Sequence, residues 1–598
     1  MNRYLKTLVI FLLLLTIFNI SARAEKPPLI MVDNIEAGQK GYAKTVFKGT
    51  DVEEFPIEII NIIDNQNLDT DLILIKASGE KIEKTGGIAS GMSGSPVYID
   101  DKLIGAISYK WEDADHQFAL VTPIKEMLNL KKNPEEVSFY DGLKAANTPI
   151  MIGGLSGRSF DRLKENLDLK DSRFVRSSSI SQKSVDNPNL KAGSAVAVQL
   201  VRGDVSVASL GTVTLVDDRD VYAFGHPFLN KGESNYLMSG AHVDAIIPSR
   251  TQPFKVGSPL DKLLGIIESD RNAGILGKID KFPNIIPLNV NVEDKKSGVT
   301  KEVKTQIIND EKILAELGSS IILQTIDSSL DRIGYGTSKA SIKIMGSNLP
   351  NGEIVRDNMY YSNNDIAVST LSDYFKMMEL ITRNPFKEIN IYDININIET
   401  TKTHDVALIQ EAEVLNEKIY PGSDLKLDVV FKPYRSDPIS REVSIEIPED
   451  INIGRATLAI SGGFSGLPNR REPQEDSGND QKHTVIEGYK SFDEMITDYI
   501  EAPMNNELSL QIYPSFISKE EIERGSNDLQ EDKEEETEQE PPDSDQAISP
   551  EKPEEKPEIR KEIYTDYVLE GTLTLDFEVK KVPEDDEEKN IPEDKKEQ

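Results

Sequence analysis

Between residues 29 and 130, apolar positions recur in short runs broken by Gly, Asn, Asp and Pro, a spacing that predicts strands and turns. Residues 41–47, 56–63 and 71–77 read as strands, the last built on Leu72, Ile73, Leu74 and Ile75. Residues 95–99 and 103–109 form a hairpin across Asp100 and Asp101, and 117–121 is a further strand. Thr122 and Pro123 then open a helix with Ile124, Met127 and Leu128 on one face, proline being favourable in a first helical turn. Strands this short and this regularly spaced predict a β-barrel over residues 25–135.

After a polar, less regular connector at 136–190, the strand rhythm returns at 195–201, 205–209, 211–216, 221–224, 263–268, 286–292 and 300–308, which predicts a second all-β unit over 191–310. Apolar spacing at 308–330 and 374–382 reads as helix, so 311–385 is expected to be a helical connector. Alternation from Ile389 to Ile398, followed by turn-separated runs, predicts an immunoglobulin-like β-sandwich over 386–465. Residues 466–518 read as a small helix-and-strand region. The Glu, Asp, Lys and Pro of 519–561 cannot bury enough apolar area to offset ordering entropy, so a disordered acidic loop is expected there. A lone strand at 562–582 needs a partner and should pair back into the preceding domain, ahead of a mobile acidic tail at 583–598. The fold class expected is mainly β: two barrels, a sandwich and a small α+β C-terminal region.

Composition narrows the chemistry. The formal net charge of -35 over 598 residues argues against nucleic acid or an anionic membrane surface as the main partner. There is no cysteine, so no disulfide, thiol nucleophile or Cys-based metal site. The five histidines have no ligand spacing, and no metal or cofactor is expected. The acidic stretch has no EF-hand spacing for Ca²⁺, and solvation accounts for it better. At the N-terminus, Arg3 and Lys6 precede an apolar run at 8–18, with Ala22-Arg23-Ala24 before Glu25. This reads as a signal peptide over 1–24, with an uncleaved membrane anchor as the alternative, and the mature chain as exported, to the medium or the cell envelope.

The candidate chemistry lies in Gly91-Met92-Ser93-Gly94-Ser95-Pro96. A serine between two glycines can hold its hydroxyl outward while backbone N–H groups converge beside it, the geometry of a nucleophile with an oxyanion hole. The bland reading is a tight Gly/Ser turn. This run, with Thr85-Gly86-Gly87 before it and Leu103-Ile104-Gly105-Ala106 after it, resembles the nucleophile region of the SpoIVB sporulation serine peptidases, a chymotrypsin-like branch with two β-barrels around one site. Phe224-Gly225-His226 resembles that family's general-base region. The resemblance implies a serine-type endopeptidase acting on a protein or peptide substrate. Ser93 would be its nucleophile, His226 its base, and the N–H groups of Gly91, Met92 and Ser93 its oxyanion hole. Ser95 is the alternative nucleophile and His116 the competing base. His242, His404 and His483 are taken as structural or surface residues, and Trp111 as a packing or rim residue.

Three departures from the family pattern stand out. The Ser region precedes the His region, so the barrels come in swapped order, and no room is left for a peptide-binding PDZ domain ahead of them. The family's acid position falls on Ser78, which cannot stabilise an imidazolium as a carboxylate does. Asp71, Asp115, Asp217 and Asp220 are the acids considered in its place; otherwise the site is a Ser–His dyad. The competing reading is a degenerate, peptidase-like envelope protein that binds a protein partner.

Overall fold

A computed structural model describes residues 27–63, 71–111, 114–132, 144–145, 149–167, 173–179, 189–249, 251–330, 332–463, 489–514 and 559–582. The expected signal peptide, acidic loop and acidic tail lie outside these residues, apart from the last few positions of the acidic loop. The protein is mainly β and forms two compact units, one of residues 1–287 with 304–320, the other of 288–303 with 321–598.

In the first unit, β1 (Lys40–Val46), β2 (Val52–Ile63), β3 (Leu72–Ala77), β4 (Pro96–Ile99), β5 (Lys102–Lys110) and β6 (Phe118–Pro123) pair in the order β4-β1-β2-β3-β6-β5. Pairing of β4 with β5 closes the ring into a six-stranded barrel. Alternate inward residues fill it: Phe55, Ile57 and Ile59 from β2, Ile73 and Ile75 from β3, Val97, Ile107 and Val121 from the rest. β7 (Lys144–Ala145) adds to β5. A short β8 (Ile150–Gly153) and β9 (Phe174–Arg176) precede β10 (Ala195–Gly203), β11 (Ser206–Asp217), β12 (Asp220–Ala223), β13 (Gly232–Ile247), β14 (Phe254–Arg271) and β15 (Gly274–Ile279). The last six pair as β10-β13-β14-β15-β12-β11, and β10–β11 pairing closes a second ring.

In the second unit, β16 (Ile285–Asp294) runs parallel to β20 (Asn390–Thr401), beside β18 (Gly336–Ser347) and β19 (Glu353–Ser362); β17 (Val299–Ile308) lies between β16 and β18 in sequence. The sandwich has one sheet of β21 (Val406–Val414), β22 (Asp424–Pro433), β23 (Ile439–Glu446) and β27 (Val568–Glu570), and another of β24 (Gly454–Gly462), β25 (Glu507–Pro514), β26 (Ile559–Tyr564) and β28 (Thr572–Val579). Leu425, Leu427 and Val429 meet Leu458, Ile460, Leu508 and Leu510 between the sheets.

Two boundaries differ from the sequence reading. The stretch expected as a helical connector, 311–385, carries β18 and β19 between its helices. The alternating 390–401 strand joins β16 and β18 rather than the sandwich, whose second sheet is completed by 507–579. The first error is two strands missed altogether; the second arises because alternation gives a strand's two faces but not its neighbours. The final strand does pair back, β28 on β24 and β27 on β21.

Candidate active site

The nucleophile turn is built between the helix Glu80–Thr85 and β4. Gly91 and Gly94 stand at φ 92° and 88°, in the left-handed region. A Cβ on Gly94 would lie 1.9 Å from Thr212 O and 2.4 Å from Phe224 N, so only glycine lets the second barrel come this close. Every carbonyl of the turn is then pinned. Ser90 O accepts from Lys255 N (2.9 Å), Met92 O from Ser95 N (2.9 Å) and Ser93 O from Thr212 N (2.9 Å). Gly91 O accepts from Thr212 Oγ1 (3.1 Å) and Gly94 O from Thr214 Oγ1 (2.8 Å). Four of these five donors belong to β11 and β14 of the second barrel.

Pinning the carbonyls fixes where the amides point, because C=O and N–H of a trans peptide are opposed. Met92 N–H bonds Ala89 O (2.9 Å) and Gly94 N–H bonds Ile107 O (2.7 Å). The N–H groups of Gly91 and Ser93 donate to no other described residue. Of the three oxyanion-hole donors expected from sequence, Met92 is thus already spent, while Gly91 and Ser93 are open to an oxygen.

The histidine turn follows β12. Phe224 takes a positive φ of 70°, and Gly225 backs onto β5, where an added Cβ would lie 3.1 Å from Ser108 Cβ and 3.3 Å from Ile107 O. Thr122 Oγ1 donates to Gly225 O (2.8 Å). The first barrel therefore holds the histidine turn as the second holds the serine turn, and both turns meet at the Ile107 carbonyl. His226 is 1% exposed, with ring centroids of Tyr109 and Phe224 at 6.2 and 5.9 Å. Its Nδ1 lies 2.7 Å from Pro227 O. A carbonyl only accepts, so Nδ1 carries the proton and Nε2 presents its lone pair. Burial pushes the imidazole pKa down to about 4, which keeps it neutral at pH 7.

Ser93 is 0% exposed. Its Oγ, Ser95 Oγ and His226 Nε2 are buried with no hydrogen-bond partner among the described residues, so the serine and the imidazole are not bonded to each other. Unpartnered buried polar atoms are costly, of the order of 1–3 kcal/mol each, and rare in native interiors.

The other candidates fall elsewhere. Ser78 is exposed at the end of β3, its N–H on Pro56 O. Asp220 is buried but paired with Lys131 and with Lys278 (2.8 Å), and Asp115 accepts from Gln117 N. The acid positions considered from sequence supply no carboxylate to His226, whose Nδ1 is taken by a carbonyl. His116 backs the Gly87 turn, its carbonyl accepting from Ile88 N. His242 Nδ1 lies 3.0 Å from Asp244, and His404 stacks between Tyr335 and Tyr434. His483 lies outside the described residues. Trp111 packs on Leu72, Tyr109 and Leu120. Among the described residues no three His, Asp or Glu side chains gather as a metal site, and no helix is long and apolar enough to cross a membrane.

Sequence reading missed Thr212, Thr214, Lys255 and Asp270. Lys255 is buried along Gly91, its Nζ donating to Thr45 Oγ1 (2.8 Å), and burial lowers its pKa to about 7. Asp270 accepts from Phe228 N and Leu229 N, both at 2.7 Å. Isolated hydroxyls carry no local motif, and Lys255 and Asp270 share β14 with Asp261, Lys262, Glu268 and Arg271, so their charge does not single them out.

Residues 14–128 match the model of the SpoIVB peptidase S55 family. The match includes Ser93 and the whole first barrel except β7, and it ends before His226. No curated protein and no solved structure matches the chain significantly. The match supports a serine peptidase. By that match and by the Gly91–Pro96 turn inside it, the N-terminal barrel is similar to the SpoIVB peptidase type.

Proposed function

We propose that the chain is an exported serine endopeptidase that hydrolyses peptide bonds in a protein substrate, with Ser93 as nucleophile and His226 as general base. The observation that carries this reading is that Ser93 Oγ and His226 Nε2 are both buried without a hydrogen-bond partner among the described residues, on two turns that meet at the Ile107 carbonyl, the serine turn having two open amides and all its carbonyls tied down. Nε2 takes the hydroxyl proton as Oγ attacks the scissile carbonyl. The N–H groups of Gly91 and Ser93 receive the oxyanion, and the imidazolium returns its proton to the leaving amine. Water then repeats the sequence on the acyl-enzyme. An imidazole with its pKa near 4 is in the base form throughout the neutral range but is a weak base there. Both groups are fully buried, so a polypeptide reaches them only after the cover above them opens.

The first 24 residues act as the export signal and are removed, and the sandwich of the second unit serves as a docking module. The test compares casein cleavage by the chain from Glu25 onward with Ser93→Ala and His226→Ala. Loss in both variants, with melting curves unchanged, is expected. Equal cleavage by all three removes the peptidase reading and leaves the partner-binding one.

A further inference from the structure

We propose that Asp270 is the positioning carboxylate of the Ser93–His226 pair, acting through the Pro227–Phe228 peptide instead of touching the imidazole. This rests on the peptidase reading above. The two ends of one peptide unit carry the argument. Its carbonyl, Pro227 O, accepts from His226 Nδ1 at 2.7 Å, and its amide, Phe228 N, donates to Asp270 Oδ1 at 2.7 Å. C=O and N–H of that unit are conjugated and point in opposite directions. A negative charge at the N–H end makes the oxygen a stronger acceptor, and successive hydrogen bonds polarise one another in a low-dielectric interior. The chain of contacts is carboxylate, peptide, imidazole.

The carboxylate is otherwise disposed to hold this loop. Asp270 is fully buried on β14. Its Oδ2 accepts from Leu229 N (2.7 Å), Lys231 N (3.5 Å) and Tyr236 Oη (3.4 Å), so it fastens the residues directly after the imidazole. The groups facing it are that backbone and Tyr236 from β13, while the Lys231 ammonium turns to Asp310. Burial raises the Asp270 pKa and the backbone N–H bonds act against that rise. When Ser93 gives its proton to Nε2, the Nδ1 proton stays where it is, and the imidazolium is stabilised through the peptide by the Asp270 carboxylate, whose charged form the backbone N–H bonds favour against burial. This supplies the acid that Ser78 cannot.

The experiment uses the full mature chain, with fluorophosphonate labelling of Ser93 followed from pH 2.5 to 9, a range that brackets the acid limb set by His226, and folding checked by circular dichroism and melting at each pH. Asp270→Asn is expected to label about tenfold to a hundredfold more slowly at pH 7. Its acid limb should move to lower pH by about one unit, because the imidazolium loses a neighbouring negative charge. Asp270→Glu is expected to keep the limb and part of the rate. A folded Asp270→Asn that labels at the wild-type rate, or that slows equally at every pH, overturns the proposal. Should Asp270→Asn fail to fold, the wild-type chain labelled with ¹⁵N-His and ¹⁵N-Phe decides. The Phe228 amide proton and the His226 Nδ1 proton are expected to titrate at one midpoint, and independent midpoints refute the relay. Labelling that is absent, or that persists in Ser93→Ala, sinks the parent reading instead. Labelling lost in Ser93→Ala and His226→Ala but untouched in Asp270→Asn sinks only this one.

Discussion

The two units each bury a polar cluster, and the clusters differ in one respect. In the second unit Asp373 accepts from Asn358 Nδ2 (2.7 Å), Tyr360 Oη (2.5 Å) and Tyr499 Oη (2.5 Å). Arg356 beside it donates to the carbonyls of Ile500, Ala502 and Pro503. That network ties β19 to the helices Ser372–Thr382 and Phe492–Ile500 and leaves no hydroxyl or carboxylate oxygen in it idle. In the first unit the carbonyls of the serine turn are all bonded, yet the Gly91 and Ser93 amides are open and the Ser93 and Ser95 hydroxyls and the His226 Nε2 have no hydrogen-bond partner among the described residues. The Asp373 cluster saturates its carboxylate and holds elements together, with only the Arg356 Nε in it lacking a hydrogen-bond partner among the described residues. A cluster that leaves the Ser93 and Ser95 hydroxyls and the His226 Nε2 unpartnered gives up stability at those atoms, which suits the catalytic roles proposed for Ser93 and His226.

That contrast can be broken or sharpened by substitution. The largest effect belongs to Ser93→Ala: fluorophosphonate labelling and casein cleavage should fall about a thousandfold or more, while the melting temperature holds or rises, since an unpartnered hydroxyl is removed. A large drop in melting temperature would make Ser93 a structural residue. Asp373→Ala should do the reverse, destabilising by about 3–5 kcal/mol in urea melts because the Arg356 charge and three donors lose their acceptor, with the labelling rate unaltered while folded.

The third prediction concerns pH. The folded-state pKa of His226, near 4, lies below its unfolded value of about 6.5. The unfolded chain therefore binds the proton first as pH falls, and this histidine's contribution is lost between about pH 6.5 and 4. Wild type should lose about 3 kcal/mol more than His226→Asn over that window in urea melts at stepped pH. Parallel curves would place the imidazole in contact with water. The smallest effect is that of Thr214→Val, which strips the donor from Gly94 O: about 1–2 kcal/mol in stability, with labelling slowed only a few-fold. A labelling rate that is unchanged would show that the serine turn holds its shape without the Thr214 bond, on the Thr212 bonds of β11.

The first barrel was legible because its strands are apolar runs separated by turn residues, with β2 alternating while β4, β5 and β6 are buried along almost their whole length. The Gly-x-Ser-Gly-x-Pro turn was legible because glycines at positive φ leave a local trace. The 390–401 strand was assigned to the wrong sheet because its pattern fits any half-buried sheet equally well. The Met92 amide was counted as a donor because sequence does not tell which turn N–H is already bonded.

By itself, then, the sequence determined the strands of the first barrel, the glycine-held serine and the histidine that follows β12, all of which are set by local spacing and backbone freedom, whereas β13 and the first half of β14 in the second barrel were missed. Only the tertiary structure decided that Thr212, Thr214 and Lys255 brace the serine turn from the second barrel and that Asp270 lies behind the Pro227–Phe228 peptide. These residues act through contacts spanning some forty to well over a hundred positions of chain. Strand pairing and barrel closure create such contacts, and no local pattern encodes them.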